Sequence, residues 1–391
     1  MGSAMEYENI PDRGPTDHFH GRKTIIKNFI SALKHHLRKN DGTTFLIQGP
    51  PGAGKTALLH KLAEVASSEW NAVDIDPEAL WDADWLMHAL GRGRELQLTE
   101  VSGGVSLGGV LSAEGTRAPV PENPISLIAQ VDTPPLLLIL DEAQTLGGVN
   151  KPEGKDASVA ANFIKSIHNG KIGKPVMLLA AGLGTTAKAF ADLGISRFMS
   201  RGHKYKIGLG SLGRDSTCAT LCDLIQEYGR VADLPSSWIE QIADRTHGWP
   251  QHIMSYADQA AEYLHEHRIP SDDGLEVVLQ WGRAKQVEYY RERAEDIAKE
   301  NRQILADFFA GIPQGKTTLE RDIKSALMQV HTEEKADELF DTMLQKGIID
   351  QREDGSYGVP IPSMHTWLVE EYAKEKLIQK PKLLPPPPSQ T

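Results

Sequence analysis

The sequence predicts an α/β fold: a parallel-sheet core, then a wholly helical segment, then a winged-helix unit near the end. Three observations carry this. Short, nearly all-apolar runs at 44–48, 134–140 and 176–181 recur between helix-length segments, as parallel strands buried on both faces do. From about residue 213 the apolar residues fall at helical spacing only. From residue 301 the order becomes helix, helix, helix, hairpin, with an Asp354-Gly355 turn between short apolar runs.

Composition sets the frame for those elements. A chain of 391 residues has room for two or three domains, and 40% hydrophobic with 24% charged residues is ordinary for a soluble globular protein. No apolar run approaches the length of a membrane span, and no secretory signal is visible, so no membrane partner is expected. "MGSA" before Met5 reads as a cloning scar. A net charge of −11 argues against general nucleic-acid affinity and leaves a local basic face open. Cys218 and Cys222 lie four apart in an expected helix with no zinc-ligand set around them, which suits reduced thiols in a cytoplasmic protein. The histidines of "DHFHGR" and "KHHLRK" complete no metal-ligand pattern.

The first element of consequence follows an N-terminal segment, residues 5–24. Within an α/β domain expected at 25–212, Thr44–Gln48 reads as a strand and Ala57–Ala66 as a helix, with Leu58, Leu59, Leu62 and Val65 on one face. Between them stands Gly49-Pro50-Pro51-Gly52-Ala53-Gly54-Lys55-Thr56, a complete G-x-x-x-x-G-K-[ST] match. A strand entering a Gly-rich loop that opens a helix aims several backbone N–H groups at one point, where the helix dipole also favours an anion. Gly49, Pro51, Gly52, Ala53, Gly54 and Ala57 would wrap a phosphate chain, Lys55 would reach the β and γ phosphates, and the Thr56 hydroxyl would bind Mg2+. The expected ligand is ATP or GTP with Mg2+.

Further elements follow in order. "EWNAVDID" reads as the second strand and Pro77–Leu90 as a helix. The segment 91–133 exceeds what a minimal nucleotide domain needs; five glycines among Val101, Val105, Leu107 and Leu111 suggest a hairpin or flap. It is either a contact for a partner or a tolerated surface insertion. "PPLLLIL" is a third strand, ending in Asp141-Glu142-Ala143-Gln144, and carboxylates at the carboxyl end of a buried strand suit a ligand crevice. Asp141 would hold the hydrated Mg2+ and Glu142 would activate an attacking water. "VMLLAA" and "HKYKIGLG" supply two more strands. Beyond them come a helical lid at 213–272, opened by an Asp/Ser cap and broken at Gly248-Trp249-Pro250, and a linker helix at 273–300. A winged helix at 301–375 and a proline-rich tail at 376–391 complete the chain.

With these motifs in place the chain resembles AAA+-type P-loop ATPases, in the neighbourhood of origin-recognition initiators, bacterial transposition regulators and STAND signalling ATPases. "FHGRK" resembles their GR box, "GPPGAGKT" and "LLLILDEAQ" their Walker A and B motifs, and "THGWPQHI" the Gly-x-Pro element of the lid. The resemblance runs over residues 18–375 and leaves 91–133 uncovered. It implies that Phe19, Arg22 and Pro250 lie near the adenine, with core packing as the other reading of Phe19. It also implies that Arg197 or Arg201 acts as an arginine finger on a neighbouring subunit's γ-phosphate, hence self-association; the other reading is of two surface arginines. Two departures point to a slow switch. The fourth strand ends in Ala180-Ala181-Gly182, where many relatives have a polar γ-phosphate sensor that Thr185 or Thr186 would have to replace. The lid has Pro250-Gln251-His252 in place of an arginine.

The role expected for the nucleotide is therefore regulatory. One reading is a DNA-associated ATPase of the transposition or initiator kind, with duplex DNA on Lys316, Arg321, Lys324 or the "RGHKYK" segment. The other is a STAND-like switch whose winged helix binds a protein partner. That unit's third helix carries Glu333, Glu334, Asp337, Glu338 and Asp341 against Lys335, and DNA phosphates would repel it.

Overall fold

The computed structural model describes residues 7, 9–11, 16–86, 88, 90, 125, 128, 135–147, 157–199, 204–297, 300–352 and 354–372. Apart from positions 125 and 128, the 91–133 segment and its expected hairpin lie outside the described residues, as do Arg201 and the tail at 376–391. The chain divides into two compact units, Met1–Gln286 with Asp350–Asp354, and Val287–Ile349 with Gly355–Thr391.

In the first unit five parallel strands form one sheet: β1 (Gly42–Gln48), β2 (Asn71–Asp74), β3 (Leu136–Leu140), β4 (Val176–Gly182) and β5 (Lys206–Gly208). Their order is β2-β3-β4-β1-β5. Every residue of β1 and β4 is buried, as the continuous apolar runs require of strands covered on both faces. Register decides what meets at the carboxyl edge. Gln48 pairs with Gly182 and Leu140 with Ala180, so the loops leaving β1, β3 and β4 emerge side by side. Among the described residues, helices α1 (Lys23–Lys39), α2 (Lys55–Ala66), α3 (Ala157–His168) and α4 (Thr186–Asp192) accompany the sheet. The core on one side gathers Leu138, Leu140 and Leu178 with Phe163, Ile164 and Phe190.

The expected helix at 77–90 is broken. Pro77–Trp81 is a 3₁₀ turn whose Asp76 side chain accepts from the Glu78 N–H, and Asp82 is extended at φ −136°. The Asp82 carboxylate then accepts from the N–H groups of Asp84 and Trp85, starting a new turn rather than continuing the old one.

After the sheet the first unit is helical: α5 (Arg214–Gly229), α6 (Ser236–Thr246), α7 (Pro250–His267) and the start of α8 (Asp272–Ala294). Leu221, Leu224, Trp238, Ile242, Tyr256 and Leu264 form their core. The cap of α5 differs from the Asp/Ser expectation. Gly213 is the N-cap, with no side-chain hydrogen bond, and its carbonyl takes both the Thr217 N–H and the Thr217 hydroxyl. The long α8 begins at Asp272 and ends at Ala294, short of the Glu300 that its charge pattern suggested.

In the second unit α9 (Glu300–Ala310), α10 (Glu320–Leu327), α11 (Glu333–Gln345) and α12 (Pro362–Glu370) bury Phe309, Ile323, Leu327, Phe340, Met343 and Trp367. The short strand β7 (Tyr357–Gly358) belongs to this unit and β6 (Asp350–Gln351) to the first, and Gly355 sits at φ 82°.

Candidate functional site

The loop between β1 and α2 is shaped by backbone that only glycine adopts readily. Gly52 and Gly54 lie at φ 77° and 81°, and Gly54 caps α2 from the left-handed region. That curls residues 50–54 into a cradle: the Ala53 N–H donates to Pro50 and the Leu58 N–H to Gly54. Gly49 ties the cradle to the sheet, its N–H donating to the Gly182 carbonyl at 3.0 Å. A cavity of about 740 Å³ opens above it, lined by Pro51, Gly52, Ala53, Gly54, Lys55, Thr56 and Ala57 together with Asp141, Glu142, Phe19, Arg22 and Pro250. Of the predicted loop residues only Gly49 stays behind the wall.

Lys55 is buried, and its ammonium folds back onto the carbonyls of Gly49 (3.1 Å) and Pro50 (3.2 Å). The Thr56 hydroxyl donates to the Asp141 Oδ2 at 2.6 Å, joining the start of α2 to the end of β3. A hydroxyl and a carboxylate meeting at the strand ends, beside a phosphate-sized cradle, are hard oxygen ligands of the type Mg2+ takes. The residues present therefore fit a magnesium-bound triphosphate.

Beside Asp141 the chain turns sharply. Glu142 is itself left-handed, φ 52°, and caps the 3₁₀ turn Ala143–Leu146. Its N–H donates to the Asp141 Oδ1 at 2.9 Å, and its carbonyl takes the Thr145 N–H and hydroxyl. Ala143 and Leu146 are buried, which pins the turn and leaves the Glu142 side chain exposed at the cavity wall.

No protein-family profile and no curated protein matches the chain. Solved structures do. The Walker-type ATPase PABY2304 of Pyrococcus abyssi is 15% identical, with 90% of this chain and 96% of that one covered at a TM-score of 0.51. The ORC2 protein of Aeropyrum pernix, solved as ADPNP–ADP complexes, is 13% identical, with 95% and 97% covered at 0.52. This chain has the AAA+ ATPase fold.

Within that AAA+ fold the lid is fastened to the core through Gly248. It lies at φ 69°, its carbonyl accepts from the Leu212 N–H at 2.7 Å, and a Cβ there would overlap the Leu212 carbonyl oxygen. Trp249 follows, fully buried, and Pro250 opens α7 at a position where its missing N–H costs nothing. The next N–H, that of Gln251, donates to the Gly52 carbonyl at 3.2 Å, so the lid touches the phosphate cradle itself.

Phe19 is half-buried and lines the cavity too. Arg22, left-handed at φ 54°, sends its guanidinium onto the Gly210 carbonyl and, at 3.5 Å, the Ala53 carbonyl. Burial lowers its pKa below the usual arginine range. This places Arg22 against the cradle backbone. Two histidines that the sequence reading left unassigned clamp this wall to α5: His18 pairs with Glu227, and His20 with Asp223 at 2.6 Å. Arg197 is exposed on the 3₁₀ turn Ser196–Met199 and does not line the cavity.

The sequence reading missed Gln144 and Gln48. Gln144 bridges the Glu142 carboxylate and the Leu183 N–H, and Gln48 donates to the carbonyls of Leu183 (3.2 Å) and Gly184 (2.7 Å). Of the proposed sensor substitutes, Thr186 is buried with its hydroxyl on the Leu183 carbonyl at 2.6 Å, facing the core. A glutamine at the last position of a strand beside a glycine-ended neighbour was the available signal.

Proposed function

We propose that this chain is a Mg2+-dependent ATPase that turns over slowly and uses its nucleotide state as a switch. The observation that carries the reading is the Thr56–Asp141 contact of 2.6 Å at the foot of a cavity lined by the whole G-x-x-x-x-G-K-T loop except Gly49 and Pro50. Mg2+ held at Thr56 and Asp141 would neutralise charge on the phosphates. Lys55 would leave its carbonyl partners for the β and γ phosphates, and Glu142 would accept the proton of the attacking water. The water oxygen then bonds to the γ-phosphorus, the bond to the β-bridging oxygen breaks, and ADP leaves. Glu142 returns its proton to the released phosphate. Pro250 and Gln251 line the cavity from the lid and the Gln251 N–H already holds the Gly52 carbonyl, so ATP would fix lid against cradle.

The exposed Arg197 suits action on a neighbouring copy rather than on its own cavity, hence self-association. Two classes of partner remain in play, duplex DNA in a DNA transaction or defence pathway, and a protein. One observation favours protein. In the winged-helix unit Lys324 is held by Glu320 (2.6 Å) and Asp337 (2.8 Å), and Lys335 by Glu338 (2.8 Å). Those carboxylates push the Lys324 pKa up and neutralise it as a phosphate contact. The test is steady-state ATP hydrolysis with and without duplex DNA at low salt, beside Glu142→Gln. Turnover that needs Glu142 and ignores DNA supports the protein-binding switch. Strong stimulation by DNA sends the assignment to the DNA-transaction reading, and turnover indifferent to Glu142→Gln removes that residue from the chemistry.

A further inference from the structure

The end of β4 poses a chemical problem. Ala180-Ala181-Gly182 ends β4 with no polar side chain, although Gly182 sits beside Gln48 at the carboxyl edge of the sheet. The structure fills that place from another strand. The Gln144 side chain lies directly over Gly182, where a Cβ would come within 2.5 Å of its Oε1 and would also overlap the Thr186 hydroxyl. From there Gln144 makes two different bonds. Its Oε1 accepts from the Leu183 N–H at 3.1 Å, and its Nε2 donates to the Glu142 Oε2.

We propose that Gln144 is the positioning residue of the hydrolytic centre: it holds the Glu142 carboxylate in place and couples it to the end of β4. This inference rests on Glu142 being the proton acceptor, as proposed above. An amide suits the task because one planar group carries a donor and an acceptor whose orientations are locked together. Fixing Oε1 on the Leu183 N–H fixes where Nε2 points. The anchor is firm in turn, since Gln48, at the end of the strand that enters the phosphate cradle, donates to the carbonyls of Leu183 and Gly184. A continuous run of bonds therefore links the cradle strand, the β4 end and Glu142. The left-handed backbone of Glu142 and the buried Ala143 and Leu146 restrict the turn so that the glutamine reaches both partners. Gly182 is glycine because any side chain would expel Gln144.

Two variants separate positioning from mere support. Gln144→Glu keeps an acceptor for the Leu183 N–H and loses the donor to Glu142. Gln144→Met keeps the volume and loses both. The measurements are kcat and KM for ATP and the thermal midpoint, with wild type and Glu142→Gln alongside. Gln144→Glu is expected to keep the wild-type midpoint and a KM within about twofold while kcat falls about tenfold or more, since misplacing a general base forfeits part of its contribution. Gln144→Met should lose kcat to a similar degree and lower the midpoint as well. Wild-type kcat in Gln144→Glu beside a crippled Glu142→Gln would overturn the inference alone. A kcat loss accompanied by a matching rise in KM and a lower midpoint would make Gln144 structural and overturn it too. Absent turnover in the wild type, or an unaffected Glu142→Gln, would sink the hydrolysis reading and this inference together.

Discussion

Gly248→Ala tests how the lid is fastened to the nucleotide cradle. At φ 69° a side chain is held in the left-handed region, which costs an L-residue about 1–2 kcal/mol. The new Cβ would overlap the Leu212 carbonyl oxygen and lie 3.3 Å from the Leu212 nitrogen, so the 2.7 Å bond from the Leu212 N–H to the Gly248 carbonyl cannot survive in place. A lost backbone hydrogen bond of this kind adds about 1 kcal/mol, for a total of about 2–3 kcal/mol before the overlap itself is relieved. At about 2–4 °C per kcal/mol the thermal midpoint should fall by about 4–12 °C. Two residues on, Pro250 lines the cavity and the Gln251 N–H holds Gly52, so ATP binding should weaken with it. If about 1.4 kcal/mol of the strain appears in the bound state, affinity falls about tenfold. Thermal denaturation and titration with a fluorescent ATP analogue read the two effects. Gly208→Ala is the control, because no atom lies within 4 Å of a Cβ there, and it should behave as wild type. A Gly248→Ala protein with unchanged midpoint and unchanged ATP affinity would refute the claim that this contact sets the lid.

Three other outcomes are expected. Lys55→Ala should weaken ATP binding by about tenfold or more, because a charged hydrogen bond to phosphate is lost from a buried position; undiminished affinity by isothermal titration would contradict the cradle. Burial raises the Asp350 carboxyl from 3.8 to about 6. Below pH 3.8 both folded and unfolded chains carry the proton, and above pH 6 neither does, so folding is penalised increasingly across that window, by at most about 3 kcal/mol. Asp350→Asn should therefore raise the midpoint at pH 7.5 and leave it unchanged near pH 4; equal effects at both would exclude the burial argument. Arg197→Ala should lower turnover, and wild-type specific activity should rise with protein concentration. Strictly proportional rates in a preparation shown to be monomeric by light scattering would rule out action on a neighbour.

The central strands β3 and β4 could be read from the sequence because they are buried on both faces and so are almost wholly apolar. Continuous runs such as Leu136–Leu140 admit little else when bounded by turn residues. The left-handed glycines of the β1–α2 loop were legible for a different reason: glycine, lysine and threonine at fixed spacing in one short loop are the pattern expected of a phosphate cradle. What was not legible depends on atoms brought together across the sheet. The break at Asp82 follows from a carboxylate capping two nearby N–H groups, a choice that helical spacing alone does not exclude. Arg22 lines the cavity, and its left-handed backbone carries its guanidinium to the Gly210 and Ala53 carbonyls, contacts that no spacing in the sequence signals.

Gln144 is the clearest instance of this limit, and it alters how the missing polar residue on β4 is understood. Taken strand by strand, Ala180-Ala181-Gly182 looks like a loss of function, and a slow switch follows from it. Taken across the register that sets β3 beside β4, the small residues make room for an amide arriving from the neighbouring loop. The polar group has not been lost; it is supplied from a different strand, and its donor now points at Glu142. The proposed slow turnover would then have a more specific physical source: Glu142 would enter the reaction already bonded to Gln144, and the rate would depend on how that bond redistributes when the γ-phosphate and its water arrive. The two departures from the family pattern need not add. On the proposed reading, a lid without an arginine would weaken charge stabilisation, whereas a glutamine held over Gly182 would preserve the orientation of the base. A protein so built would keep the geometry for hydrolysis and need a neighbour's arginine to complete the electrostatics, which is the outcome the Arg197→Ala test reads.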